Sequence, residues 1–253
     1  MIDQNLVRLV AEAGMLTPED LVVEVGPGTG TLTEELLERA GRVVAVEIDR
    51  DLAALLKSRF AGRSNFMLIE GDALAGKHKL NAELLAAIHA VSKRPRKLVA
   101  NLPYNIASPL IIELLIAGVD LLAFTVQKEV AMRLKAPAGN DDYGPLSVMA
   151  QMLAKVELLR TLPPQAFWPA PTIDSALVRM TRQDRLGDRA NEFSTFVHAI
   201  FSFRRKMLRK ALVQAGYDGE ALVERSGLDG HRRPEEFSPE EIFSLFQTAS
   251  NDS

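Results

Sequence analysis

Short apolar runs alternate with amphipathic stretches through the first half of the chain. Leu6, Val7, Leu9, Val10 and Ala13 recur at helical spacing over residues 4–14, and Thr17-Pro18-Glu19 then breaks the pattern. Continuous apolar runs at 21–26 (LVVEVG), 43–49 (VVAVEID), 66–72 (FMLIEGD), 97–103 (KLVANLP) and 121–127 (LLAFTVQ) predict strands buried on both faces. Helical spacing predicts helices between them, over 31–40, 51–60, 82–90 and 111–116. Thr31 with Glu34 three residues on reads as a capping box opening the first of these. Buried strands alternating with helices predict an α/β fold, a parallel, doubly wound, Rossmann-like sheet.

The pattern changes after residue 127. Residues 128–154 read as helix broken at 136–145. The runs VELLRTLP and SALVRMTR read as strands that close one sheet edge in antiparallel fashion. The polar stretch RQDRLGDRAN marks a boundary, giving a Rossmann-like domain over 1–183 and a small helical C-terminal domain over 184–253. That second part is broken at Gly216, Gly227, Gly230 and RRPEEFSP. There is no internal repeat and no low-complexity tract.

Composition narrows the chemistry. With 253 residues and 47% apolar content, a sizeable core is available. The absence of cysteine removes disulfide and thiolate chemistry, and four scattered histidines argue against a zinc centre, so no metal is expected. No apolar run approaches the roughly 20 residues that cross a bilayer, and the opening MIDQNLVRLV reads as an amphipathic helix, so a cytoplasmic location is expected. Thirty basic against 33 acidic residues leave a formal charge of -3, so any polyanion must be met by local clusters.

Three strand ends carry candidate chemistry. Gly26, Gly28 and Gly30 form a tight loop between a strand and a helix, where backbone amides meet a ligand closely. The dinucleotide fingerprint requires a small third residue where Thr31 stands, and it has no place for Glu24, which would repel a pyrophosphate and is suited to orienting the loop or meeting an ammonium. Glu47 ends the second strand, where a carboxylate accepts both ribose hydroxyls; its alternative role is to cap the helix beginning near Asp51. Asp72 ends the third strand and is placed to accept from an exocyclic adenine amine, or to serve as a local cap. Together they predict an adenosine-bearing cofactor.

EVGPGTGTLTEEL, VEID, GDAL and NLPY together resemble an S-adenosylmethionine-dependent methyltransferase. More narrowly, the chain resembles the ribosomal RNA adenine dimethyltransferase family: AFWPAPTIDSALVRM is similar to its F-x-P-x-P-x-V-x-S-x-V segment and FSFRRKMLRKAL to its basic C-terminal helix. The resemblance implies S-adenosylmethionine as cofactor, with Ile48, Ala73 and Asn101 joining Glu24, the three glycines, Glu47 and Asp72 around it. It also implies dimethylation of the N6 amines of two adjacent adenines in a 3′-terminal hairpin of small-subunit ribosomal RNA, within a partly assembled subunit during ribosome biogenesis; separately, a monomer is expected. The adenine amine is a poor nucleophile, so acceptors for its N–H groups are needed. Asn101 offers a side-chain carbonyl, its alternative role being to form the turn; Leu102 offers a backbone carbonyl directed by Pro103; and Tyr104 offers a ring on which a base stacks, its alternative being a core tyrosine. Phe167 matches the family's base-pocket phenylalanine, its alternative being ordinary packing. Arg204, Arg205, Lys206, Arg209 and Lys210 predict one basic helix face tracking phosphates, against a merely solvated face; KRPRK at 93–97 is a second cluster, either RNA-bordering or a solvated loop.

Against the family pattern, Met1 and Ile2 align at the end of a segment that borders the cofactor, and the span from Asp72 to Asn101 is long and lacks an acidic residue soon after GDAL. Three other readings stand beside the first: an assembly checkpoint or RNA-binding factor with little catalysis, a DNA adenine methyltransferase, and a nicotinamide-dependent oxidoreductase.

Overall fold

A computed structural model describes residues 4–76, 79–90, 94–167, 172–183 and 185–250. In chain order the elements are α1 (Gln4–Ala13), β1 (Leu21–Val25), α2 (Thr31–Arg39), β2 (Arg42–Glu47), α3 (Arg50–Arg59), β3 (Phe66–Glu70), α4 (Ala82–His89), β4 (Arg96–Asn101), α5 (Ala107–Ile116), β5 (Leu121–Gln127), α6 (Lys128–Lys135), α7 (Pro145–Leu153), β6 (Ala154–Leu162), β7 (Ser175–Arg182), α8 (Ala190–Phe201), α9 (Leu208–Gln214), α10 (Gly219–Ser226) and α11 (Pro239–Ser250). None of the described helices is long and apolar enough to cross a membrane.

The seven strands form one sheet in the order β3-β2-β1-β4-β5-β7-β6. β1, β2, β3, β4 and β5 are parallel, and β7 runs antiparallel to β5. Val22, Val23, Val44, Leu98, Val99, Leu122 and Phe124 are fully withdrawn from water, as strands covered by helices on both faces require. Because β1 pairs with both β2 and β4, the chain reverses its direction of winding at β1, and the crevice beyond the carboxyl ends of these strands is where such sheets bind ligands. The opposite end of the sheet is braced instead. Lys97 Nζ lies 2.8 Å from Asp20 Oδ2, a buried carboxylate, and donates to the Met15 carbonyl at 2.6 Å.

Two compact units result: Met1–Ala131 with Val156–Arg182, and Met132–Lys155 with Gln183–Ser253. Residues 132–155, expected in the first domain, therefore belong with the second. The reason is packing: α7 lies on α8 and α11, the Tyr143 hydroxyl donates to the Phe237 carbonyl at 2.8 Å, and Gly139 N donates to Glu235 O at 2.8 Å. The second unit has an aromatic core in which Phe193 meets Phe243 and Phe246 at 5.3 and 5.4 Å.

Candidate active site

The loop after β1 is built on left-handed backbone. Gly26, Gly28 and Gly30 have φ of 70°, 60° and 85°, values that side-chain-bearing residues rarely adopt. Gly30 itself caps α2, so the expected Thr31 cap is absent: the chain enters the helix through a left-handed residue and Thr31 is already its first turn. Glu34 does not close a capping box. It accepts from Arg59 Nη2 at 2.7 Å, while Nη1 of the same guanidinium donates to the Thr29 carbonyl at 2.7 Å, tying the loop to α3. A Cβ on Gly26 would lie 3.1 Å from Pro103 Cγ. The loops after β1 and β4 therefore touch.

The three acids have different surroundings. Glu24 is 2% exposed and accepts from Thr33 Oγ1 at 2.6 Å, joining β1 to α2 beneath the loop. Burial pushes its carboxyl up from 4.5 to about 8, opposed by the Thr33 hydrogen bond and reinforced by the charge of Glu47. Glu47 Oε2 accepts from Gly28 N at 3.1 Å and Oε1 from Asp49 N at 3.0 Å. It does not cap α3; Asp49 does, accepting from Asp51 N and Leu52 N. Each Glu47 oxygen keeps a lone pair for another donor. Asp72 is exposed two residues beyond β3, with Oδ1 accepting from Leu74 N at 3.0 Å.

These strand ends enclose a cleft of about 130 Å³. Gly26, Glu47, Ile48, Asp72 and Ala73 line it, and so does Pro103 of NLPY. Glu24, Gly28, Gly30 and Asn101, expected around the cofactor, are not among its lining residues. Gly28 reaches it only through its bond to Glu47. Val25, Val46, Gly71, Asn105 and Ile106 also line it and were not singled out in the sequence; their signal was adjacency to the three strand ends and to NLPY. Ile48 is 68% exposed, an apolar side chain at the cleft that core packing does not use.

NLPY begins where β4 ends. Asn101 pairs in register with Thr125, whose hydroxyl donates to Asn101 Oδ1. Leu102 N donates to Thr125 O at 3.2 Å, so the turn stays anchored to β5; no described residue donates to the Leu102 carbonyl. The Tyr104 hydroxyl bonds Ser175 Oγ at 2.9 Å. Phe167 is 5% exposed and belongs to the core cluster containing Val99, Ala123, Leu162 and Leu177, the packing named as its alternative role. Residues 168–171 of that motif lie outside the described residues.

The expected continuous basic helix is also corrected. α8 stops at Phe201 and α9 starts at Leu208, with a turn between. Continuing the helix would need the amides of Leu208 and Arg209, but these donate to the carbonyls of Arg232 and Gly230. Arg204, Arg205 and Lys206 thus follow the carboxyl end of α8, where cations suit the helix dipole. Arg204 pairs with Glu235 at 3.4 Å and Arg209 with Glu220 at 3.2 Å. Arg205, Lys206 and Lys210 are exposed with no ion pair among the described residues. In the KRPRK stretch, Lys97 braces Asp20 and Arg96 meets Asp120 at 3.6 Å, both at the end of β4 remote from Asn101, while Lys93 lies outside the described residues.

Comparison with known proteins gives a consistent picture. The ribosomal RNA adenine dimethylase family profile matches residues 1–251. Ribosomal RNA small subunit methyltransferase A of Moorella thermoacetica is 38% identical over 98% of this chain and 89% of its own length. The protein of the same name from Marinobacter nauticus is 39% identical over 92% of this chain and 82% of its length. Among solved structures, 23S rRNA methyltransferase ErmE matches with a TM-score of 0.66 and 26% identity over 98% of both chains. A dimethyladenosine transferase from Plasmodium falciparum shares the fold, with a TM-score of 0.76 at 23% identity over 96% of this chain and 94% of that one.

Proposed function

Because the chain belongs to the ribosomal RNA adenine dimethylase family, we propose that it transfers methyl groups from S-adenosylmethionine to the N6 amines of two adjacent adenines in a 3′-terminal hairpin of small-subunit ribosomal RNA. The observation that carries this reading is the position of Pro103. One residue of NLPY lines the same cleft as Gly26, Glu47 and Asp72, which supports an adenosyl site and an amine site that share a wall. The donors and acceptors present fit the adenosyl group: Glu47 has lone pairs left for ribose hydroxyls, Asp72 Oδ2 is available to the adenine amine, and Ile48 offers an apolar surface to the ring. When bound, S-adenosylmethionine supplies an activated methyl on a sulfonium.

The protein's share of the work falls on NLPY. Asn101 Oδ1 and the Leu102 carbonyl accept from the substrate N–H groups, which favours rehybridisation of a nitrogen whose lone pair is delocalised into the ring. The bound sulfonium would supply the methyl and be left as a neutral thioether, and the amine, made acidic by alkylation, would lose its proton to water. Neutral acceptors also tolerate rotation of the monomethylated amine before the second transfer. Tyr104 stacks on the extruded base, a contact worth about 1–3 kcal/mol. Arg205, Lys206 and Lys210 hold phosphates and position the RNA without reading it. The substrate is the RNA of a partly assembled subunit, in which the hairpin is still accessible, and the protein acts on it as a monomer in the cytoplasm.

The test uses labelled S-adenosylmethionine with immature small subunits lacking adenine methylation, followed by digestion and mass analysis. Two methyl groups per target adenine are expected. Asn101→Ala is expected to slow transfer by about 10²–10³-fold, as loss of a preorganised polar contact does, while the RNA still binds. Cofactor binding with no transfer to RNA by wild type would overturn the reading in favour of a non-catalytic assembly factor.

A further inference from the structure

β5 and β7 are apolar strands that each carry one fully buried hydroxyl. Thr125 stands between Phe124 and Val126, and Ser175 opens β7; both are 0% exposed. Buried hydroxyls need partners, and both take theirs from NLPY. Thr125 Oγ1 donates to Asn101 Oδ1, and Ser175 Oγ bonds the Tyr104 hydroxyl. The register explains the arrangement. Asn101 stands opposite Thr125 across β4 and β5, and Thr125 stands opposite Leu177 across β5 and β7. Ser175 lies two residues before Leu177, so Asn101, Thr125 and Ser175 share one face of the sheet.

We propose that Thr125 and Ser175 are positioning residues for methyl transfer: Thr125 holds the Asn101 amide with its carbonyl toward the reacting amine, and Ser175 holds the plane of the Tyr104 ring. This rests on the functional reading above. An amide has two ends of similar shape and opposite polarity. Turned over, Asn101 would present N–H donors to an amine that itself donates. Donation from Thr125 into Oδ1 fixes which end is the oxygen and leaves its second lone pair for the substrate. A buried donor on a strand does this without reorganising during the reaction. Tyr104 rises from a turn and is free to swing unless its far end is tied. Its hydroxyl bond to Ser175 sets the plane of a stacked base, and that plane aligns the amine with the incoming methyl. Both effects act on alignment, so they govern the rate of transfer and not the affinity for RNA.

Single-turnover transfer is measured for wild type, Thr125→Val, Thr125→Ser, Ser175→Ala, Tyr104→Phe and the Ser175→Ala/Tyr104→Phe pair, together with S-adenosylmethionine and subunit affinities and melting temperatures. Thr125→Val keeps the shape and loses the hydroxyl. It is expected to slow transfer about tenfold to a hundredfold, raise the share of monomethylated adenine and leave both affinities unchanged, with Thr125→Ser restoring the rate. Ser175→Ala and Tyr104→Phe are expected to slow transfer equally, and the pair no further than either alone. Wild-type rates in Thr125→Val and Tyr104→Phe would overturn the inference and leave the functional reading standing. Slowing in Thr125→Val that Thr125→Ser does not rescue, accompanied by lost affinity or melting temperature, would also overturn it, as a purely structural effect. Wild type inactive on adenine would remove the functional reading and this inference with it.

Discussion

Glu47 serves the fold and the cleft with the same two oxygens. Its carboxylate accepts from Gly28 N and Asp49 N, one amide on each oxygen, while it lines the cavity. Glutamine keeps the shape but turns one oxygen into a donor, so one backbone amide loses its acceptor and, in the cofactor site proposed above, one ribose hydroxyl would lose a charged partner. Hydrogen bonds to charged groups contribute about 1.5–3 kcal/mol, so Glu47→Gln is expected to weaken S-adenosylmethionine binding about tenfold or more, read by calorimetry. An unchanged Kd would remove Glu47 from the cofactor site. Glu24 behaves differently, since its carboxyl is pushed up from 4.5 to about 8 in the folded chain. Below 4.5 both folded and unfolded chains hold the proton. Between these values the folded chain holds a proton that the unfolded chain has lost, so stability from this group falls as pH rises and is gone above about 8. Glu24→Gln should therefore flatten the decline of melting temperature between pH 5 and 8, roughly the window of the shift; an identical slope in both proteins would contradict the burial argument. Both carboxylates were legible in the sequence because they interrupt apolar strands. Thr125 and Ser175 were not, because a buried hydroxyl in a strand looks like ordinary β-preference until the register shows what it faces.

At the scale of elements, the glycine loop is where backbone conformation and packing can be separated by experiment. Gly28 and Gly30 both have left-handed backbone, but a Cβ on Gly28 meets nothing within 4 Å, whereas one on Gly30 would lie 2.8 Å from Phe60 and 2.9 Å from Leu56. Alanine at 28 adds backbone strain alone, about 1–2 kcal/mol. Alanine at 30 adds the same strain plus overpacking of about 1–3 kcal/mol. Gly30→Ala should accordingly melt several degrees below Gly28→Ala, and equal melting temperatures would show that α3 yields to the added methyl. This loop and the parallel strands beside it were readable in advance, since strands covered on both faces write themselves as unbroken apolar runs. The break between α8 and α9 was not. It depends on Leu208 and Arg209 amides that are claimed by Arg232 and Gly230, partners more than twenty positions away in the chain. The same is true of residues 132–155, whose helical pattern says nothing of which core they join; Tyr143 answers that through its bond to Phe237.

For the whole molecule, a formal charge of -3 means that attraction to RNA has to come from a few cations left over after internal pairing. Arg185, Arg204, Arg209 and Arg232 are engaged by Glu240, Glu235, Glu220 and Glu241. Arg205, Lys206 and Lys210 are exposed without such partners among the described residues. A cation already held by a carboxylate releases little on meeting a phosphate, whereas a free one displaces a condensed counterion. Each phosphate contact on a single strand contributes about 0.7 to the slope of log K against log salt. Replacing Arg205, Lys206 and Lys210 together by alanine is expected to reduce that slope by about 2 and to weaken binding to small-subunit RNA alike across hairpin sequences. The transfer rate at saturating RNA should be retained if these side chains, as proposed, position the RNA without touching the amine. Arg209→Ala serves as the comparison: it frees Glu220 from its pair and should change the slope by less than any one of the three. A triple variant with the wild-type slope would place the phosphate track elsewhere on the molecule. One that bound normally but transferred slowly would mean that these cations act on alignment and not on capture.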